Sequence, residues 1–233
     1  ASASEILAAA LQDYGRAVIV GSPSTFGKRT LQRFIDLDRT IRGFNELKPL
    51  GEIKLTTQKF YRVDGGSTQL KGVTPDIILP DNFFYIKTGE RDRDYAMEWS
   101  EIEAVDYEQD VLKVNNISKL RRKSEMRIEA NPTFQKILAN AKRVEQRRED
   151  TSYPLELEAY KEMREERQKQ ADDFDGVMDQ VVLEGLRNLE EDLPAIASDE
   201  SKKARNDEWL ENVSKDIYIK ETIEIMRDMI AGQ

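Results

Sequence analysis

The chain of 233 residues contains no cysteine and no histidine. The first absence excludes thiol nucleophiles and disulfides, and the two together exclude Cys/His zinc sites. Losing histidine also narrows acid–base chemistry. A serine hydroxyl is a poor nucleophile at neutral pH until a neighbouring base takes its proton, and the usual base is an imidazole; in this chain only a lysine or a carboxylate could take that role. Long apolar runs are missing as well: no stretch approaches the roughly 20 apolar residues of a membrane span, and no signal-peptide pattern is evident. Positive charge is in deficit, with 36 Lys plus Arg against 45 Asp plus Glu, a net charge of -9 and a pI near 4.9. Nucleic acid or an anionic membrane is therefore not the expected main partner, since such binders concentrate cations.

What is present changes character near residue 82. Before it lie two apolar, β-branched runs, Ala17 to Val20 and Pro75 to Leu79, and the alternating stretch Ile53 to Val63, which reads as a half-buried strand. Asp64-Gly65-Gly66-Ser67 has the chemistry of a turn. Ser4 to Asp13 reads as a short helix, with three alanines as strong formers and Ile6, Leu7 and Leu11 for packing. This region is mixed α and β.

Beyond residue 82 the pattern is helical and heavily charged. Asn131-Pro132 is a helix start, followed by Phe134, Ile137, Leu138, Ala141 and Val144 on one face. Ser152 with Pro154 is expected to begin another helix through Tyr160 and Met163, and Arg143 to Asp173 reads as a solvated or extended helix. Asp172 to Asp192 carries a further apolar set, Phe174, Val177, Met178, Val181, Val182 and Leu186. The last stretch places Ile219, Ile223, Met226 and Ile230 on one stripe. These stripes are expected to be core, as helices in a bundle need such faces, and Trp99 and Trp209 are expected to be core anchors.

Two residues stand out for chemistry. Ser2 fits a capping box, Ser2-Ala3-Ser4-Glu5, with Glu5 reaching back to the Ser2 backbone. The same position serves catalysis, because a helix N-terminus offers free N–H groups and a positive dipole end to a developing oxyanion; capping and catalysis are not separable there from sequence. Lys28 follows Phe26-Gly27. A free lysine is neutral in only about one molecule in 2,500 at pH 7, so a lysine base needs burial or neighbouring cations. A phosphate-binding loop over Gly21 to Lys28 is the rival reading, and its spacing is wrong: five residues separate Gly21 from Gly27 where four are needed, and Arg29 stands where a serine or threonine would hold magnesium.

The strings Ser2-Ala3-Ser4-Glu5-Ile6, Leu11-Gln12-Asp13-Tyr14-Gly15-Arg16-Ala17 and Thr25-Phe26-Gly27-Lys28, with Thr30 and Gln32, resemble the catalytic half of the carboxy-terminal processing peptidases, the S41 serine proteases with a Ser/Lys dyad. Gln58 to Gln69 and Lys71 to Ile77 resemble the tail-specific protease branch, and the helical extension entered through Trp99-Ser100-Glu101-Ile102 is similar to that branch's C-terminal domain. The resemblance implies an α+β chain: residues 1–81 as the C-terminal part of an α/β, crotonase-like protease core, then residues 82–233 as a mostly α-helical domain. It implies Ser2 as nucleophile, Lys28 as general base, Gln32 as the residue that orients the lysine amine, and the Ala3 N–H as an oxyanion donor. Asp13 matches an acidic position whose role reads as structural. The gap from nucleophile to base is 26 residues where the family usually has 25, and Arg29 replaces a usual glycine.

No metal or cofactor is implied. The implied partners are unfolded or C-terminally exposed protein substrates, an envelope adaptor protein, and an upstream PDZ domain and N-terminal core of the same protease; the implied location is the periplasm or envelope of a Gram-negative bacterium. The chain begins at Ala1 inside the motif, so it is expected to be the C-terminal part of a longer polypeptide and inactive alone. The alternative is a non-catalytic helical interaction fragment or scaffold domain of that protease.

Overall fold

The structure, a computed structural model, describes residues 2–41, 43, 45–107 and 113–232. It is α+β, mostly helical with small sheets. By compactness the chain divides into two units, Ala1–Asp76 with Lys87–Asn115, and Ile77–Ile86 with Asn116–Gln233. The compact units interleave in sequence around the boundary expected at residues 81 and 82.

In the first unit, helix α1 (Ser2–Asp13) forms where the alanine run favours it. Its packed face differs from the expected one. Ile6 and Leu7 are exposed, and the buried pair is Glu5 and Ala9, spaced i and i+4. Tyr14-Gly15 ends the helix, with Gly15 at φ +61° and its N–H on the Gln12 carbonyl. The apolar run Ala17 to Val20 yields only the short strand β1 (Val20–Gly21).

Strand β2 (Thr30–Asp36), the short helix α2 (Leu37–Thr40) capped by the Asp36 carboxylate, and strand β3 (Glu52–Lys59) follow. β2 and β3 pair antiparallel from Thr30 opposite Lys59 to Asp36 opposite Glu52. Leu31 faces Gln58 and Gln32 faces Thr56, so Thr57 is the extra residue of a bulge. The strand expected over Ile53 to Val63 forms only as far as Lys59, and all of β3 is exposed rather than half-buried. Alternation defines two faces of a strand, and burial needs a second layer on one of them. β2 carries no clean alternation, and the stretch after Lys28 reads as a plausible helix from sequence; tertiary pairing with β3 decides otherwise.

The Asp64-Gly65-Gly66-Ser67 turn is present, with the Gly66 N–H on Asp64 Oδ1 at 2.8 Å. Gly65 sits at φ +81°, and a Cβ there would lie 2.1 Å from the Ile102 carbonyl oxygen. This close approach lets the Ile102 N–H bond the Gly65 carbonyl and the Val105 N–H bond Val63.

In the second unit, strand β4 (Ile77–Ile78) contacts α3 (Ile117–Ala130). Helix α4 (Pro132–Glu149) starts as expected, with the Asn131 side chain accepting from the Thr133 N–H and proline in the first turn. α5 (Leu157–Asp172), α6 (Leu193–Ala197), α7 (Glu200–Ser214) and α8 (Ile217–Ala231) complete it. Its core contains Ile77, Leu79, Leu120, Ile128, Phe134, Ile137, Ala141, Val181, Ile217 and Ile225.

α5 begins at Leu157, after Ser152 and Pro154 rather than at them, so the charged run Arg143 to Asp173 is two helices with a break between. Asp172 to Asp192 forms a 3-10 turn, Val177–Gln180, between Gly176 at φ +67° and Gly185 at φ +79°; two left-handed glycines prevent a continuous helix. The buried stripe of α8 is Ile217, Glu221 and Ile225, with Met226 and Ile230 exposed. Trp209 is exposed rather than an anchor, while Trp99 is half-buried with its indole N–H on the Ser67 carbonyl.

The α8 stripe tolerates a carboxylate because its charge is met. Glu221 accepts from the buried Ser124 hydroxyl at 2.7 Å and from Arg127 Nη2 at 2.7 Å, while Arg127 Nη1 and Lys123 Nζ both reach Asp228. Burial alone would raise Asp228, but the hydrogen bonds from Lys123 and Arg127 hold its carboxyl below the ordinary range. No helix of the described residues is long and apolar enough to cross a membrane.

Candidate active site

Lys28 lies in the extended segment that leads into β2, and it is half-buried. Its Nζ donates to Gln32 Oε1 at 2.6 Å, and Gln32 Nε2 reaches Thr56 Oγ1 across the bulge at 3.4 Å. The spacing of four between Lys28 and Gln32 therefore meets along extended backbone, not along a helix. The bulge lies opposite the step from Leu31 to Gln32.

The backbone around Lys28 is held by side chains from two places. Glu5, on the first turns of α1 and buried, accepts from the Gly27 N–H at 2.6 Å through Oε1 and from the Lys28 N–H at 2.9 Å through Oε2. Its Oε1 also takes the Thr25 hydroxyl, and Thr25 Oγ1 in turn accepts the Val73 N–H at 2.8 Å. Gln69 Oε1 accepts the Arg29 N–H at 3.1 Å. Three successive backbone donors thus end on two side chains. The sequence does not show this because Ser2-x-x-Glu5 has a local reading, the capping box, that gives Glu5 a different partner, and Gln69 carries no pattern of its own.

Glycine is required at two positions. Gly27 is at φ +86°, and a Cβ there would sit 3.0 Å from the Gly72 nitrogen; Gly72 is at φ +71°, with the Thr25 carbonyl oxygen 2.3 Å from its Cβ position. The residue after Lys28 needs no glycine: Arg29 is not in the left-handed region, so its backbone accommodates a side chain.

Ser2 is the first residue of α1 and Ala3 lies in its first turn, where helix N–H groups lack intrahelical acceptors. The Ser2 side chain lies outside the described atoms. At the other end of α1, Arg62 Nε donates to Asp13 Oδ1 at 2.9 Å and Nη2 reaches the same oxygen and Gln12 Oε1, while the Tyr107 hydroxyl donates to the Asp13 carbonyl. The Asp13 carboxylate is occupied by this clamp.

Comparison with known proteins agrees with the motifs. Residues 83–231 match the family described as C-terminal domain of tail specific protease, and residues 1–79 match peptidase family S41. The chain is 44% identical over 144 residues to a tail-specific protease of Haemophilus influenzae, covering 58% of this chain and 19% of the relative. It is 44% identical over 79 residues to a carboxy-terminal-processing protease of Bartonella bacilliformis, covering 34% of this chain and 16% of the relative. The chain thus spans less than a fifth of the length of these two relatives.

Proposed function

Because the chain belongs to the tail-specific proteases of peptidase family S41, we propose that it is part of a serine endopeptidase with a Ser/Lys dyad that acts on proteins recognised through their C-termini. The observation that carries this is the Lys28 amine on Gln32 Oε1 at 2.6 Å, on a loop whose N–H groups are fixed by Glu5 from the helix that Ser2 begins. Ser2 Oγ attacks the scissile carbonyl while the Lys28 amine takes its proton and passes it to the leaving amine; water then hydrolyses the acyl-enzyme, with Lys28 again as base. The Ala3 N–H serves the oxyanion. Gln32 orients the lysine amine.

In this reading residues 1–81 complete a crotonase-like core with upstream sequence, which also brings a PDZ domain, and the enzyme works in the envelope of a Gram-negative bacterium, where an adaptor protein can deliver substrate. The 233 residues alone have little or no activity, since loss of a single oxyanion donor typically costs about 100 to 1,000-fold. In the intact protease, Ser2→Ala and Lys28→Ala each abolish cleavage of an unfolded, apolar-tailed protein while circular dichroism and the melting temperature stay those of the wild type. Turnover by either variant near the wild-type rate overturns the reading.

A further inference from the structure

Arg29 directly follows Lys28, where the family that the motifs resemble usually has glycine, and it is fully buried. Its guanidinium donates through Nη1 to the Ser100 carbonyl and through Nη2 to the Ser100 hydroxyl, both at 2.7 Å, and lies 3.9 Å from the centroid of the Tyr61 ring. Gln69, which holds the Arg29 N–H, donates its own Nε2 to the Met97 carbonyl at 2.9 Å. The Trp99 indole reaches Ser67, and Lys71 Nζ sits 4.3 Å over the Trp99 ring. Several attachments from around the lysine loop therefore end on the same few residues, 97–100. Those residues lie outside the stretch matched by peptidase family S41 and inside the one matched by the C-terminal domain of tail specific protease.

A buried guanidinium is a costly way to fill space. The partners of the Arg29 guanidinium among the described residues are Ser100 and Tyr61, neither a carboxylate, and its Nε has no hydrogen-bond acceptor; an apolar side chain of similar size would avoid that desolvation. What the planar fork gives in return is a two-point, directional attachment, placed one residue from Lys28. A base must stay within hydrogen-bond reach of its nucleophile, and a displacement of about 1 Å can cost roughly 100-fold in rate.

The geometry points to Arg29 as a positioning residue for Lys28, clamping the lysine loop to residues 97–100 of the C-terminal extension. This rests on the reading of Lys28 as the base. The protease loop is then not self-contained: it is braced in cis by the beginning of the domain that distinguishes the tail-specific branch. Tyr61 fits the same clamp, since its hydroxyl lies 3.3 Å from Ser100 Oγ.

The test uses the full-length protease with Arg29→Met, Arg29→Lys, Ser100→Ala and, alongside, Lys28→Ala. Steady-state kinetics are read together with amide hydrogen exchange at residues 27–29. Arg29→Met is expected to lower kcat by about 10 to 100-fold with KM within about twofold, and to speed exchange at 27–29 at least about tenfold while α3 and α8 are unchanged. Arg29→Lys recovers part of the loss. Ser100→Ala gives a smaller change of the same kind that does not add to that of Arg29→Met.

Wild-type kcat and exchange in Arg29→Met, or a fall in kcat with unchanged exchange at 27–29, overturns the proposal. If Arg29→Met does not fold, Ser100→Ala, which removes one of the guanidinium's two hydrogen bonds and the contact with the Tyr61 hydroxyl, decides on the same two readouts. Full turnover by Lys28→Ala would instead remove the base reading, and with it Arg29's role in positioning a base; exchange at 27–29 would still report whether Arg29 fastens the loop.

Discussion

The two units bury different things. In the first, the buried apolar side chains among the described residues are Ala9, Val73 and Pro75, beside the polar Glu5, Arg29, Thr30, Ser67, Thr68 and Gln69. In the second, eleven apolar side chains among the described residues, from Ile77 and Pro80 to Ile225, are buried beside Ser124, Thr133 and Glu221. One interior is organised by directional hydrogen bonds from side chains to backbone, and the other by apolar volume around one charged cluster. On the proposed reading of Lys28 the first interior suits its role, since a loop that holds a lysine amine in register needs fixed direction, which hydrogen bonds supply and non-directional burial does not.

If that contrast is right, the second unit should answer most to lost volume. Phe134→Ala, at a fully buried position on α4, is expected to destabilise the helical unit by about 3 to 5 kcal/mol, read as a drop in its denaturation midpoint, with the exchange rates at residues 27–29 unchanged. The first unit should answer to lost acceptors even when volume is kept. Gln69→Leu preserves bulk but leaves the Arg29 N–H and the Met97 carbonyl without their partner, at an expected cost of about 1 to 3 kcal/mol for each group left buried and unsatisfied. A neutral or stabilising Gln69→Leu would mean that the first unit is packed by volume after all.

The charged cluster of the second unit gives the smallest effect and a signed one. Asp228 is held below its ordinary pKa of 3.8 by Lys123 and Arg127, against the opposing effect of burial. A depressed carboxyl contributes stability that is fully present above the unfolded value and is lost as pH falls through the folded one. Urea midpoints of the helical unit should therefore decline as pH drops below about 4, and Asp228→Asn should remove that part of the slope.

How much could be read in advance follows the same division. Asn131-Pro132 announced α4 because cap and proline act on their own helix, and Phe134, Ile137 and Ala141 announced its buried face by spacing. The lysine and its glutamine were legible as a motif, and the structure brings the two together at 2.6 Å. Glu5 was legible as an N-terminal acid but not as the acceptor for Gly27 and Lys28, since that partner lies 22 residues away. Glu221 likewise disrupts an apolar stripe unless Arg127 and Ser124 are known to face it, so the stripe of α8 was displaced toward Met226 and Ile230. β3 shows the opposite failure: alternation was visible, but nothing local says whether a layer covers it.

Glu5 organises the lysine loop, and its hydrogen-bond partners among the described residues, Thr25, Gly27 and Lys28, all lie in the first unit. The chain has two tryptophans, Trp99 in the first unit and Trp209 in the second, so labelling with 5-fluorotryptophan gives one resonance from each. Urea titration of the Glu5→Ala variant, followed by 19F NMR, should move the Trp99 transition to lower urea by the equivalent of about 2 to 5 kcal/mol, for two or more backbone donors left unmet, while the Trp209 transition stays at its wild-type midpoint. Transitions that both stay put, or that shift together by the same amount, would contradict the account.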